Sequence, residues 1–268
     1  KTFLLHFVAP QFPESAMTPF VRLIAVVLLA FTLPAAAQFQ PQVGQSGKDV
    51  IWMPTPQALV DSMLDAAKLT PDDYLIDLGS GDGRTVITAA KRGARAHGIE
   101  YNPDMVALSK RNAKAEGVAD RATFEQGDIF RSDFSKATVL TLFLLPDLNI
   151  RLRPTILDMK PGTRVVSNSF TMEAWAPDET IGARNGCKGF CTAFKWIVPA
   201  KVEGTWKTPQ GALTLTQKFQ MVSGTLGADP ISEGRLRGEN IEFKAGGKSW
   251  FFLTADYAFG HALERDTE

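Results

Sequence analysis

The sequence predicts an α/β fold with a parallel sheet, followed by a smaller antiparallel β-domain. Between residues 52 and 199, short apolar runs alternate with stretches in which apolar residues recur every three or four positions. This alternation is typical of strands and helices built around a parallel sheet with helices on both faces. After Pro199 the helical period disappears, and short alternating runs are separated by glycines. That pattern indicates an antiparallel meander or half-barrel.

The N-terminal residues are predicted to be a targeting segment rather than part of the fold. Residues 1–16 resemble sequence upstream of a start at Met17. Arg22 then precedes an apolar run that is too short to cross a hydrocarbon core of ~30 Å. Small residues at Ala35–Ala37 suit cleavage by signal peptidase. We therefore expect a bacterial signal peptide over 17–37 and a periplasmic or secreted protein with no stable membrane span; without cleavage, the leader would be a membrane anchor.

The elements of the α/β part follow in order after a polar linker over 38–51. Thr55-Pro56 precedes apolar residues at helical spacing, so we expect Thr55 to cap a helix that begins at Pro56. A strand is expected over 74–76, ending at Asp77, and a helix over 85–91. The remaining predictions are a strand at 96–99, a helix at 103–116, strands at 122–125 and 137–145, a helix at 152–159 and a strand at 163–170.

The loop after the first strand carries the clearest chemical signal. It reads Asp77-Leu78-Gly79-Ser80-Gly81-Asp82-Gly83, and glycines at this place let the backbone approach a ligand closely. A dinucleotide fingerprint would have a third glycine where this chain has Arg84, and a P-loop would need Gly-Lys-Ser/Thr. The carboxylate of Asp77 would repel a pyrophosphate but suits a ligand with ammonium and sulfonium groups. S-adenosylmethionine is such a ligand, and we predict it as the cofactor.

Acidic residues also follow the second and third predicted strands. Glu100 is expected to hold both ribose hydroxyls, and Asp128 to accept a hydrogen bond from the adenine amino group, with Tyr101 and Ile129 covering the ring. The carboxyl ends of parallel strands meet at one edge of a sheet, which is where ligands bind in open α/β folds. The cofactor residues predicted by this argument are Asp77, Gly79, Ser80, Gly81, Gly83, Glu100, Tyr101, Asp128 and Ile129.

Taken together, the glycine loop, Glu100 and Gly127-Asp128 resemble the class I S-adenosylmethionine-dependent methyltransferases over about residues 52–199. Pro54-Thr55-Pro56, Leu144-Leu145-Pro146-Asp147-Leu148-Asn149 and Lys160-Pro161-Gly162-Thr163-Arg164 are similar to a narrower group. That group is the protein-lysine methyltransferase family that includes the enzyme acting on the ATP synthase c subunit and its bacterial relatives. The resemblance implies a Rossmann-like class I methyltransferase sheet, a protein lysine as acceptor, and contact between Thr55 and the methionine end of the cofactor. The leader and the β-rich tail depart from the organellar members.

A lysine acceptor requires an environment that favours its neutral amine, because the protonated amine is not a nucleophile. An apolar channel lowers the pKa of a lysine by disfavouring its charged form. Leu144, Leu145 and Pro146, at the end of the predicted fourth strand, are the candidate substrate channel. Positioning and desolvation carry most of the acceleration in such a transfer, and no side chain stands out as a catalytic base.

Charge and cysteine content narrow the remaining classes of partner. Lys plus Arg equals Asp plus Glu at 29 each, without long blocks of one sign, which argues against a nucleic-acid partner.

Export would allow Cys187 and Cys191 to form a disulfide, and two unpaired buried thiols are the alternative. Neither cysteine has a neighbouring histidine, so no metal site is predicted.

These inferences divide the chain into upstream sequence (1–16), signal peptide (17–37), linker (38–51), class I methyltransferase domain (52–199) and β-rich domain (200–268). The predicted function is transfer of a methyl group from S-adenosylmethionine to a protein lysine. Two alternatives stay open: a small-molecule methyltransferase, and an exported binding protein whose adenosyl pocket is vestigial.

Overall fold

The computed structural model describes residues 39–183 and 186–253. The upstream residues 1–16 and the expected signal peptide over 17–37 lie outside these ranges. Within the described ranges, no helix is both long and apolar enough to cross a membrane. All elements named below belong to one compact unit.

A seven-stranded sheet forms the first layer, in the order β3-β2-β1-β4-β5-β7-β6. The first five strands pair in parallel, which confirms the predicted α/β class, whereas β7 is antiparallel to both β5 and β6. Sequence analysis missed β6 and β7, which have no helix before them. The strands are β1 (Tyr74–Leu78), β2 (Arg95–Glu100), β3 (Ala122–Gln126), β4 (Val139–Leu142), β5 (Arg164–Asn168), β6 (Glu179–Gly182) and β7 (Thr192–Ile197).

Helices cover both faces of this sheet. Successive residues of a strand point to opposite faces, so one strand can pack against helices on both sides. Helices α1 (Gln57–Ala66), α2 (Arg84–Lys91) and α3 (Pro103–Ala115) pack with residues such as Leu75 on one face. Helix α4 (Pro146–Leu157) packs with residues such as Ile76 on the other face. The alternation of Leu75 and Ile76 therefore gives β1 two separate cores.

Two predicted boundaries differ from the structure by three residues or more, and one predicted cap is wrong. Strand β4 ends at Leu142 rather than at residue 145, and α4 begins at Pro146 rather than at residue 152, because proline is well suited to the first turn of a helix. The N-cap of α1 is Pro56, without a side-chain cap. Thr55 is instead buried, and its Oγ1 accepts a hydrogen bond from Asn168 Nδ2 at 3.2 Å.

The second sheet is antiparallel, in the order β14-β13-β12-β10-β9-β8, with the short β11 paired to β10. Its own core includes Leu213, Val222 and Leu236. The predicted antiparallel β-domain is thereby confirmed as a separate sheet. The strands are β8 (Gly204–Thr208), β9 (Gly211–Lys218), β10 (Met221–Leu226), β11 (Asp229–Pro230), β12 (Ser232–Arg237), β13 (Asn240–Ala245) and β14 (Lys248–Leu253).

The second sheet contacts the segment between β5 and β6. The ring of Phe219 stacks on buried Trp175 with centroids 6.1 Å apart. Gln220 Nε2 donates to the carbonyl oxygen of Ala176 at 2.8 Å, and Arg235 Nη2 lies 2.6 Å from Asp178 Oδ1. The contacted residues Trp175, Ala176 and Asp178 follow α4 in sequence. They therefore lie outside residues 45–148, which line the cleft described in the next subsection.

Candidate functional site

The glycine loop connects β1 to α2 and is tied to the end of β2. Gly79 and Gly81 both have positive φ, at 78° and 54°. The backbone N–H of Gly79 donates to the carbonyl oxygen of Ile99 at 2.9 Å, and that of Gly81 donates to Glu100 Oε2 at the same distance. A Cβ at Gly81 would lie 2.7 Å from Trp52 Nε1. Glycine is therefore required here by both conformation and close approach.

Asp77 lies at the end of β1 with its side chain buried. Thr141 Oγ1, on the neighbouring β4, donates a hydrogen bond to Asp77 Oδ1 at 2.6 Å. Burial raises the pKa of Asp77 to about 7, although the Thr141 bond opposes the shift. A carboxyl group with such a pKa is an acceptor site for a cationic ligand, because a nearby positive charge restores its ionised form.

Glu100 ends β2 and faces the same crevice. Its Oε2 accepts from the Gly81 N–H and its Oε1 from the Asn102 N–H, each at 2.9 Å. An ionised carboxylate has about four acceptor positions. Two positions are therefore left for a ligand diol, with the side chain already held in place.

Asp128 follows β3, as predicted, but it has a partner that was not predicted. Lys48 Nζ donates to Asp128 Oδ2 at 2.9 Å, and the Phe130 N–H donates to Oδ1 at 3.0 Å. The Lys48 hydrogen bond is the main cause that lowers the pKa of Asp128. The same ammonium lies 4.8 Å from the centroid of the Tyr101 ring. Two of the three residues expected around adenine, Asp128 and Tyr101, are thus in contact with Lys48.

Residues 44–52 form a small hairpin beside the glycine loop, which we call the strap. The Gly44 N–H donates to the Trp52 carbonyl oxygen at 2.9 Å, and the Trp52 N–H donates to Gln45 O at 2.8 Å. Ser46 and Ile51 form a β-bridge within it. Most of the strap falls in the segment predicted to be a linker, yet it lines the crevice. The sequence features that could have indicated this hairpin are the glycines at 44 and 47 beside the apolar run 50–52.

The crevice is a cleft at the carboxyl ends of β1 to β4. The structure brings together nearly all of the predicted cofactor residues there. The exception is Gly83, which does not line the cleft: a Cβ there would lie 2.8 Å from the ring of Phe124, so this glycine allows packing beneath the loop. The predicted residues that line the cleft are Thr55, Asp77, Gly79, Ser80, Gly81, Glu100, Tyr101, Asp128 and Ile129.

Arg84 is a cleft residue for which sequence analysis proposed no role. Its guanidinium pairs with Asp82, with Nη2 2.6 Å from Oδ2, and its Nη1 donates to the Thr55 carbonyl oxygen at 3.0 Å.

The buried hydroxyl of Ser80, another cleft residue, has no hydrogen-bond partner among the described residues. Its side chain lies against Gly98, where a Cβ would come within 2.5 Å of Ser80 Oγ.

This donor set fits S-adenosylmethionine. Asp77 suits the ammonium group and Glu100 the ribose diol, and the guanidinium of Arg84 suits the carboxylate of the methionine moiety. Tyr101 and Ile129 provide apolar surface at the Asp128 end of the cleft. Acids at three consecutive strand ends favour a cationic ligand rather than a pyrophosphate.

A second cavity, which we call the acceptor groove, shares the strap residues 46–51 with the cofactor cleft, and also Met53, Phe143 and Leu144. Of the predicted channel residues, buried Leu144 lines both cavities and Leu145, 46% exposed, lines the groove. Pro146 lines neither of these two cavities and instead begins α4. The cofactor cleft and the groove therefore adjoin each other at Phe143 and Leu144.

Cys187 and Cys191 form a disulfide in the loop between β6 and β7, with Cα atoms 5.8 Å apart. The alternative of two buried free thiols is wrong, since the two cysteines are bonded to each other and both are partly exposed. The pairing is local and closes a five-residue turn next to the groove.

Comparison with known proteins agrees with this geometry. A family model described as the ANTKMT methyltransferase domain matches residues 77–179. A protein-lysine N-methyltransferase of Saccharolobus islandicus is 43% identical over 140 residues, covering 51% of this chain and 87% of the relative. A lysine N-methyltransferase of Rattus norvegicus, named for the c subunit of ATP synthase, is 38% identical over 109 residues, covering 40% of this chain and 50% of the relative. The match thus spans only half the length of the rat protein.

A solved methyltransferase structure is also similar to this chain. The crystal structure of an RNA methyltransferase from Salinibacter ruber in complex with S-adenosyl-L-homocysteine is 48% identical, with a TM-score of 0.52. It covers 56% of this chain and 96% of that protein. The family model falls on the first sheet with its cleft. The chain therefore belongs to the family of class I S-adenosylmethionine-dependent methyltransferases that includes the protein-lysine N-methyltransferase of Saccharolobus islandicus.

Proposed function

We propose that this methyltransferase is exported from the cytoplasm and that it then methylates lysine side chains of a protein. The observation that carries the proposal is that the acceptor groove adjoins the cofactor cleft, with Phe143 and Leu144 lining both cavities. A lysine side chain is apolar up to its amine, so it fits an apolar groove while the polypeptide stays outside. The names of the archaeal and rat relatives support lysine as the acceptor.

The residues of this chain perform two tasks in the proposed reaction. Bound S-adenosylmethionine supplies an activated methyl group on a sulfonium. Asp77 and Glu100 fix the orientation of the cofactor, and the strap side chain Trp52 packs over Gly81. The buried aliphatic side chain of Leu144, where cleft and groove adjoin, disfavours an ammonium ion, so the acceptor amine loses its proton to solvent before the transfer. Orientation of donor and acceptor then supplies most of the rate enhancement.

A nucleic-acid acceptor is the second candidate, because the Salinibacter ruber protein is described as an RNA methyltransferase. The balance of 29 basic and 29 acidic residues argues against it, since phosphate backbones select a basic surface. The groove residues beyond the cleft, Leu145, Phe170 and Phe190, are all apolar. Lys48 also lines the groove, but its ammonium group is paired with Asp128 at 2.9 Å.

Labelling tests the choice between acceptors. The mature protein is incubated with methyl-labelled S-adenosylmethionine and a total-cell extract, with the Glu100→Ala variant as the control for cofactor dependence. We expect the label in protein, and mono-, di- or trimethyllysine after hydrolysis. Label found only in RNA or only in low-molecular-weight material would refute the lysine proposal.

Export is supported by the leader pattern over 17–37 and by the Cys187–Cys191 disulfide. Disulfides persist in oxidising compartments and are rare in the cytosol. Expression in a bacterial host, followed by fractionation and N-terminal sequencing, tests this. We expect a processed periplasmic product. A cytosolic product that begins at Met17 would contradict it.

A further inference from the structure

Three phenylalanine rings form one side of the acceptor groove. The ring centroids of Phe143 and Phe170 are 6.3 Å apart in a stacked arrangement, and those of Phe143 and Phe190 are 5.3 Å apart, edge to face. All three residues line the groove, and Phe190 is 43% exposed. Of the three, Phe143 also lines the cofactor cleft. We call these three residues the aromatic wall.

The outermost ring is held by an unusual backbone. Gly189 and Phe190 have consecutive positive φ values of 73° and 52°. Phenylalanine rarely adopts this conformation, and such a residue persists only where the surrounding structure holds it. The Cys187–Cys191 disulfide closes the turn around Phe190, and the Ala183 N–H donates to the Cys191 carbonyl oxygen at 2.7 Å. The disulfide thus closes the turn that carries Phe190, and the ring of Phe190 contacts Phe143.

The chemistry of the aromatic wall matches a methylated amine. Each methyl transfer removes an N–H donor from the acceptor nitrogen and makes the ammonium ion larger and less hydrated. A site built from hydrogen-bond acceptors would reject such a group, whereas aromatic faces attract it. The wall begins at Phe143, where cleft and groove meet, so the nitrogen that receives the methyl group lies near it.

We propose that Phe190, held by the Cys187–Cys191 disulfide, is a specificity-determining residue. Together with Phe143 and Phe170, it binds the acceptor lysine and retains its mono- and dimethylated ammonium forms, each of which loses a proton to solvent before it accepts the next methyl group. This inference rests on the proposed function, namely that the acceptor is a lysine.

A binding experiment tests the wall without turnover. The full chain saturated with S-adenosylhomocysteine is titrated with choline and with its uncharged isostere 3,3-dimethyl-1-butanol, followed by saturation-transfer NMR. We expect choline to bind better than the isostere, and Phe190→Ala to weaken choline at least about fivefold, about 1 kcal/mol. Phe251→Ala is the matched control, since Phe251 is exposed but lies on β14, outside the groove. Equal choline binding by wild type and Phe190→Ala would overturn the proposal.

A turnover experiment separates this inference from the proposed function. Lysine labelling is measured against extract concentration for wild type, Phe190→Ala, Phe190→Tyr and the Cys187→Ser/Cys191→Ser double variant. We expect Phe190→Ala and the double variant to need at least about fivefold more extract for half-maximal labelling and to shift products toward monomethyllysine. Phe190→Tyr should behave as wild type, and calorimetry should show unchanged cofactor affinity in all variants.

The outcomes of the turnover experiment distinguish failure of this inference from failure of the proposed function. If wild type yields methyllysine and Phe190→Ala gives the same half-saturation and product distribution, the inference is wrong and the proposed function stands. If wild type places no label in lysine, the proposed function fails and the inference falls with it. Loss of cofactor affinity in Phe190→Ala would show a general structural role and would also overturn the inference.

Discussion

At the scale of single residues, the charge of Asp77 connects cofactor binding to pH. The protein holds this carboxyl group in a buried position and raises its pKa to about 7, from an ordinary value of 3.8. The folded state therefore keeps a proton that the unfolded chain releases between these two values. A cationic cofactor placed beside Asp77 favours the ionised form, so binding below about pH 7 releases that proton.

The first prediction is a pH dependence that Asp77→Asn removes. Because the folded pKa is raised, the stability of the cofactor-free protein should fall as pH rises from about 4 to about 7, by on the order of 4 kcal/mol, and then level off. Cofactor affinity should rise over the same interval. Denaturant titration and calorimetry at several pH values measure both. If the variant keeps the slopes of wild type, another group is responsible.

Glu100 carries the second prediction. Its two oxygens already accept N–H bonds from Gly81 and Asn102, so its position is fixed before a ligand arrives. Glu100→Ala removes hydrogen bonds to a charged group worth roughly 1.5 to 3 kcal/mol. Calorimetric titration should show S-adenosylmethionine binding weakened at least about tenfold. Unchanged affinity would place the ribose site elsewhere.

At the scale of elements, the sequence predicted those parts in which local pattern and local structure coincide. The glycine loop follows from its own residues, and Asn102 caps α3 as its type suggests. Thr55 is not the cap because the N-cap of α1 is Pro56. Its hydroxyl instead accepts a hydrogen bond from Asn168, a partner 113 residues away that no local pattern indicates. The aromatic wall was missed for the same reason, since no local pattern joins Phe143 to Phe190. Long-range contacts such as these need the tertiary fold.

The third prediction concerns the packing of the strap on the glycine loop. Gly81→Ala would place a Cβ 2.7 Å from Trp52 Nε1, at a φ of 54°. Gly117→Ala is the matched control, because its φ is 69° but a Cβ there meets nothing within 4 Å. Both variants should lose about 1 to 2 kcal/mol of stability from the left-handed backbone. Only Gly81→Ala should also weaken the cofactor, by displacing Trp52. Equal cofactor affinity in both variants would show that the strap does not contribute to binding.

At the scale of the whole molecule, catalysis and the second sheet use different surfaces of the first sheet and its helices. The cofactor cleft is lined by residues between 45 and 148, at the carboxyl ends of the parallel strands. The second sheet instead contacts Trp175, Ala176 and Asp178. We therefore expect the second sheet to affect stability more than cofactor binding.

Truncation after Pro199 tests this expectation and the predicted domain boundary. The shortened chain loses the stacking of Phe219 on Trp175 and the ion pair of Arg235 with Asp178, so buried aromatic surface becomes exposed. Thermal unfolding should occur at a lower temperature, whereas calorimetry should give the same affinity for S-adenosylmethionine. Phe219→Ala in the full chain is the milder comparison and should show a smaller loss of stability. If the truncated chain is insoluble, or folds but does not bind the cofactor, the second sheet is part of one folding unit with the first and the boundary near residue 199 is wrong.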